Sequence, residues 1–129
     1  MDTQITKHFK LSNLVSPDSG EIFITDLFWE HMELLEELRC NLGKPLIVNS
    51  GHRSAKHNTK VGGAARSMHL RFATDLNPRG PGKLEKRLEC LYEAAKDLGF
   101  TGIGRYNSFV HLDRRDLVGR RPAEWDKRT

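Results

Sequence analysis

Leu27, His31, Leu34, Leu35, Leu38 and Leu42 recur at three- and four-residue steps, the spacing that puts side chains on one buried face of a helix. Thr25 or Asp26 caps this helix and Gly43 stops it. A histidine on such a stripe is expected to be packed rather than to bind a ligand. A second stripe, Leu84, Leu88, Leu91, Ala95 and Leu98, ends at Gly99 and predicts a second helix. Leu46-Ile47-Val48-Asn49, bounded by Pro45 and Gly51, reads as a short strand. Ala73 to Leu76 enters another, which Asn77-Pro78-Arg79-Gly80-Pro81-Gly82 breaks. Gly102 to Tyr106 and Phe109 to Asp113 predict two strands, or one bent at Asn107-Ser108. In the latter, Val110 and Leu112 face one way and His111 and Asp113 the other, as required of a sheet with one face on the core and one on a cleft.

Between the predicted elements the chain is polar. Ser50 to Ser67 is rich in Gly, Ser and His, with one or two helical turns expected within Ser54 to Lys60 and a tight turn at Gly62-Gly63. Near the start, Phe9 to Val15 is a short apolar segment, expected to form a lid or edge on the core, and Ser16-Pro17-Asp18-Ser19-Gly20 follows as a turn.

At 129 residues, 37% apolar and 29% charged, the chain suits one domain spanning 1–129 with a modest core. It has no apolar run long enough to span a membrane. Met1 to His8 lacks the basic start and apolar stretch of a signal peptide, so synthesis in the cytoplasm without an export signal is expected. A net charge of +4 draws the surface toward polyanions such as nucleic acid, anionic membranes or bacterial wall polymers, or simply keeps it soluble. No recognition helix with clustered basic residues supports nucleic-acid binding. Cys40 and Cys90 lie in separate helical patterns and are expected as free thiols. From Arg114 onward six basic residues face three acidic ones, which predicts either a basic patch or a solvated tail, with Trp125 folding back as an anchor.

The candidate chemistry lies in Ser67-Met68-His69-Leu70-Arg71-Phe72-Ala73-Thr74-Asp75 and, downstream, in His111. Two imidazoles and a carboxylate are a recurring ligand set for catalytic zinc. A straight strand would hold His69 and Asp75 roughly 20 Å apart, so sharing an ion requires the chain to bend near Arg71-Phe72. Asp113, on the strand face of His111, is placed either to act as a base or to orient that ligand. Arg53 offers a planar fork for a carboxylate, with a loop-tying salt bridge as the alternative. Ser67 is a candidate substrate contact and equally a turn cap.

Asn49-Ser50-Gly51-His52-Arg53-Ser54, Val61 to Leu70, Ala73-Thr74-Asp75-Leu76 and Phe109-Val110-His111-Leu112-Asp113 resemble, in order, the motifs of the zinc D-alanyl-D-alanine carboxypeptidase-like peptidases, which share their fold with the hedgehog signalling domain. The resemblance implies an α+β fold, a small antiparallel sheet flanked by helices, with His69, Asp75 and His111 as zinc ligands and Arg53 in the substrate cleft. The step from His69 to Asp75 is one residue shorter than the family's, with Phe72 near the place of its glycine. Where many relatives carry an acidic base, three residues before the last histidine, this chain has Ser108. Asp113 is the substitute candidate. His52 and His57 are not expected to bind zinc.

What the resemblance implies for function is hydrolysis of an amide in peptidoglycan stem peptides or cross-bridges by a monomeric D,D-carboxypeptidase or endopeptidase. A form without a signal resembles a phage or prophage lysis enzyme that acts on the wall after release. The alternative from another class is a non-catalytic, zinc-stabilised wall-binding module.

Overall fold

In the computed structural model, which describes residues 2–129, helix α1 runs Asp26–Leu42. The Thr25 hydroxyl accepts from the Phe28 amide at its start, and Gly43 in the left-handed region (φ 63°) ends it. Helix α3 spans Leu84–Leu98 and ends the same way at Gly99. The centre of each stripe is buried as the periodicity predicts, His31, Leu35 and Leu38 in α1 and Leu88, Leu91 and Ala95 in α3. Leu27, Leu34, Leu42, Leu84 and Leu98 are only partly buried, and Phe28 and Met32, outside the predicted stripe, join the core. At about 1.5–3 kcal/mol for each large buried side chain, this core is the main support of the fold.

The helices cover one face of a five-stranded sheet in the order β3 (Leu46–Ser50), β4 (Thr74–Pro78), β6 (Val110–Asp113), β5 (Gly102–Arg105), β7 (Ala123–Asp126). All neighbours are antiparallel except β5 and β7, which run parallel. The sheet is thus antiparallel as expected up to its last member. The charged end of the chain is not a solvated tail: a 3-10 turn at Arg115–Val118 leads into β7, which extends the sheet. Strand β4 also runs two residues further than its polar sequence suggests, through Asn77 and Pro78, which pair with Ile47 and Leu46. A short hairpin, β1 (Gln4–Thr6) with β2 (Phe9–Lys10), and the segment to Ser16 close the other end of the core through Phe9 and Leu14. The polar loop after β3 contains one short helix, α2 (Ala55–Lys60). Cys40 and Cys90 are free thiols. No helix among the described residues is long and apolar enough to cross a membrane.

His31 is a packed residue of the core, wholly buried, edge-on to Phe72 and Phe100 and 3.0 Å from the Thr74 hydroxyl through Nε2. Burial pushes its pKa down to about 3, and the opposing pull of the Asp113 charge is too weak to restore it. Protonation therefore favours the unfolded chain, in which the group titrates normally. The stabilising contribution of neutral His31 is complete above pH 6.5 and is lost as pH falls toward 3, with about 2 kcal/mol gone by pH 5. Urea midpoints of the protein should fall over that range, and His31→Gln should flatten the fall. Parallel curves for the two proteins would assign the slope to another group.

Candidate metal centre

One row of residues crosses the face of the sheet opposite the helices. Register aligns Ser50, Asp75, His111, Gly104 and Trp125 across β3, β4, β6, β5 and β7. Because Asp75 and His111 are cross-strand partners, their side chains rise side by side. His69 comes from elsewhere, a 3-10 turn at Met68–Leu70 capped by the Ser67 hydroxyl, which accepts from the His69 amide. The chain then bends at Arg71 (φ −102°, ψ −88°) and buries Phe72 against Phe28 and His31. That anchor closes the short loop, and His69 Nε2 lies 3.1 Å from Asp75 Oδ1. The expected bend is therefore present where geometry demands it.

His111 Nδ1 lies 3.0 Å from the same Asp75 oxygen and 3.2 Å from His69 Nε2. The three donors form a buried group, all within 4.8 Å of one another. Their fit to a metal rests on the outer nitrogens. His69 Nδ1 is 2.6 Å from the Gly51 carbonyl and donates to it. His111 Nε2 is 2.7 Å from Asp113 Oδ2 and donates there. With each outer N–H committed to a protein acceptor, the inner nitrogens present lone pairs to a common point beside Asp75.

Asp113 lies on the far side of the His111 ring from this point and is fully buried. Arg115 encloses it, donating from its backbone amide, Nε and Nη2. Of the two roles open to Asp113, orientation of His111 fits this placement; a base would need access to the opposite side of the ring. The two glycines of β5 make room on this face, since a side chain at Gly102 would overlap the Asp113 carboxylate and one at Gly104 the Trp125 indole.

Burial alone would favour protonated Asp75, but hydrogen bonds from His111 and His69 hold its carboxyl well below the usual range. Asp113 is likewise held low against its burial by His111 and Arg115. Burial works to depress His111, yet its bonds to Asp113 and Asp75 prevail and raise its pKa above the ordinary histidine value.

The donors open into a cleft of about 410 Å³ whose walls include Arg53, Ser67, Tyr106, Phe109 and Trp125. Arg53 Nη2 is 3.5 Å from Asp75 Oδ2, with Nη1 donating to Asn58 and Nε to Ser50. It is both tied to the loop and available to the cleft. Trp125 donates from its indole to the Tyr106 hydroxyl and tilts over His111, with ring centroids 5.1 Å apart. Trp125, expected only as an anchor for the end of the chain, is a wall of the cleft. The glycines of Gly102-Ile103-Gly104, alternating with a core isoleucine, were the available sign that something large covers that face. His52 stands apart, wholly buried between the Arg71 carbonyl and Glu21, and His57 belongs to no donor group among the described residues. Ser108 is exposed, and Asp75 is the sole carboxylate among the described residues lining the cleft. A second hollow of similar size, about 420 Å³ beside α3, has Glu89 paired with Arg105 and no comparable donor group.

Residues 7–113 match the family described as Peptidase M15. Over 87 residues the chain is 36% identical to the zinc D-Ala-D-Ala carboxypeptidase of Streptomyces albus G, a match that covers 66% of this chain and 32% of that protein. The chain therefore spans about a third of the length of the curated relative it matches. Arg115, Arg120 and Trp125 lie beyond the residues matched to the family.

Proposed function

The chain belongs to peptidase family M15, and on that premise we propose that it is a zinc-dependent hydrolase of an amide bond in bacterial peptidoglycan peptides. The observation that carries this reading is the convergence of His69, Asp75 and His111 on one point with both outer imidazole nitrogens already committed. The likeness to a zinc D-Ala-D-Ala carboxypeptidase supports zinc as the ion and a D-alanyl peptide as the substrate. When bound there, zinc would supply Lewis-acid polarisation of the scissile carbonyl and a water made more acidic.

The chain's own residues do the rest. His69, Asp75 and His111 would hold the ion, while the Gly51 carbonyl and Asp113 keep the two rings turned toward that point. Arg115 keeps Asp113 ionised and in place. Arg53, steadied by Asn58 and Ser50, offers its fork to a carboxylate end of the substrate. Ser67 acts chiefly through the turn that aims His69. Tyr106, Phe109 and Trp125 wall the cleft and limit water around the reacting bond.

The finer reading is a lysis enzyme of bacteriophage or prophage type, made in the cytoplasm and reaching the wall once the membrane is opened. Its support is the net charge of +4, which favours anionic wall polymers. One observation favours a second reading, a zinc-stabilised wall-binding module: among the described residues, the cleft has no carboxylate besides Asp75 to take up a proton. Mass analysis of purified muropeptides separates the two. Hydrolysis predicts loss of a terminal D-alanine or splitting of cross-linked dimers, abolished by chelator and restored by zinc. Intact muropeptides beside fully zinc-loaded protein would refute the hydrolase and leave the module.

A further inference from the structure

Four arginines, Arg53, Arg66, Arg115 and Arg120, line the cleft against the single carboxylate of Asp75. Two of the four are accounted for. Arg53 lies 3.5 Å from Asp75, and Arg115 is committed to Asp113. The remaining arginine ion pairs of the described chain involve Arg105, Arg114 and Arg128, so Arg66 and Arg120 have no carboxylate partner.

These two are nevertheless held together. Arg120 Nη1 donates to the Arg66 carbonyl at 3.0 Å, and the Arg120 amide donates to the Arg115 carbonyl, which fixes the segment after the 3-10 turn against the loop before His69. A guanidinium has five N–H donors, and this bond uses one. Partial burial, followed by the like charges of Arg115 and Arg66, depresses the Arg120 pKa, with Asp113 the lone opposing influence among its main neighbours. Keeping like charges close in a concave site costs free energy that a bound anion would recover.

We propose that Arg66 and Arg120 form a second anion subsite of the cleft, which takes a carboxylate of the substrate other than the one met by Arg53. This rests on the reading of the cleft as the seat of a stem peptide. It adds a preference for stems whose internal carboxylates are free over stems in which they are amidated. Arg120 lies beyond the residues matched to the family.

The test uses two synthetic stem pentapeptides with the same free carboxyl terminus, one with both internal carboxylates free and one with both amidated. Binding to the zinc-loaded protein is read by rapid-mixing quenching of tryptophan fluorescence, before turnover accumulates, and the same mixtures are then followed by mass. The free acid should bind at least about tenfold more tightly at low salt. Arg120→Gln should bring the ratio close to one, and Arg120→Lys, which restores charge without the fork, should recover part of it. Equal affinities for the two peptides, or a ratio unchanged in Arg120→Gln, would overturn the subsite. A preference in binding with no cleavage of either peptide would instead remove the hydrolase reading and leave the subsite in place.

Discussion

Asp75→Asn is expected to strip the chain of zinc and to lower amide hydrolysis by at least about a thousandfold, the rate equivalent of the several kcal/mol that a Lewis acid supplies. Asparagine has nearly the same shape, so the strand and the core under it should survive. What disappears is the only negative charge in the donor group. Asp75 Oδ1 lies within 3.1 Å of one imidazole nitrogen and 3.0 Å of the other, and a neutral amide there cannot offset a dication in a buried site. Two measurements separate loss of metal from loss of fold. Zinc at about a hundred times its Kd stabilises a binding-competent protein by about 2.7 kcal/mol. For a domain of this size that raises the melting temperature by roughly 10 °C. The wild type should show the rise and Asp75→Asn should not, with near-native circular dichroism in both. Stoichiometric zinc and retained turnover in the variant would exclude Asp75 as a ligand.

That three residues this far apart in sequence meet was legible in part, for physical reasons that differ from residue to residue. His111 and Asp113 announced their face by alternating with Val110 and Leu112, because strand geometry leaves a side chain only two directions. The bend between His69 and Asp75 followed from reach alone. What produces it was not legible: Phe72 packs into the core against Phe28 and His31 and so anchors the chain just after the bend. The helices were plain from period and caps, since Thr25 and Gly43 act on their own neighbours. Strand β7 was not, because its parallel pairing with β5 is a contact between distant segments and its burial alternates only partly. A charged composition there looked like a tail, yet its arginines serve the site: Arg115 encloses Asp113 and Arg120 faces the cleft. The same blindness to nonlocal pairing hid the role of Trp125.

The role of Asp113 yields the second large expected effect, in Asp113→Asn. If the carboxylate orients His111, the variant should bind zinc about 10–100-fold more weakly, and turnover should return toward the wild-type value once zinc is supplied in excess. If it were the base, zinc would stay bound and kcat would fall by about 10²–10⁴ at any zinc concentration. The geometry favours the first outcome. Asp113 Oδ2 accepts from His111 Nε2 at 2.7 Å, on the side of the ring away from Asp75, and Arg115 occupies both carboxylate oxygens. An asparagine can still accept from the ring through its oxygen. It no longer neutralises Arg115, which would be left as a nearly buried charge without a partner, at a cost of about 3 kcal/mol in folding stability. Asp113→Asn paired with Arg115→Met removes that stranded charge, so the double variant should regain stability while zinc affinity stays low. Recovery of zinc affinity in the double variant would mean that Asp113 acts through the fold at large rather than through the ring of His111.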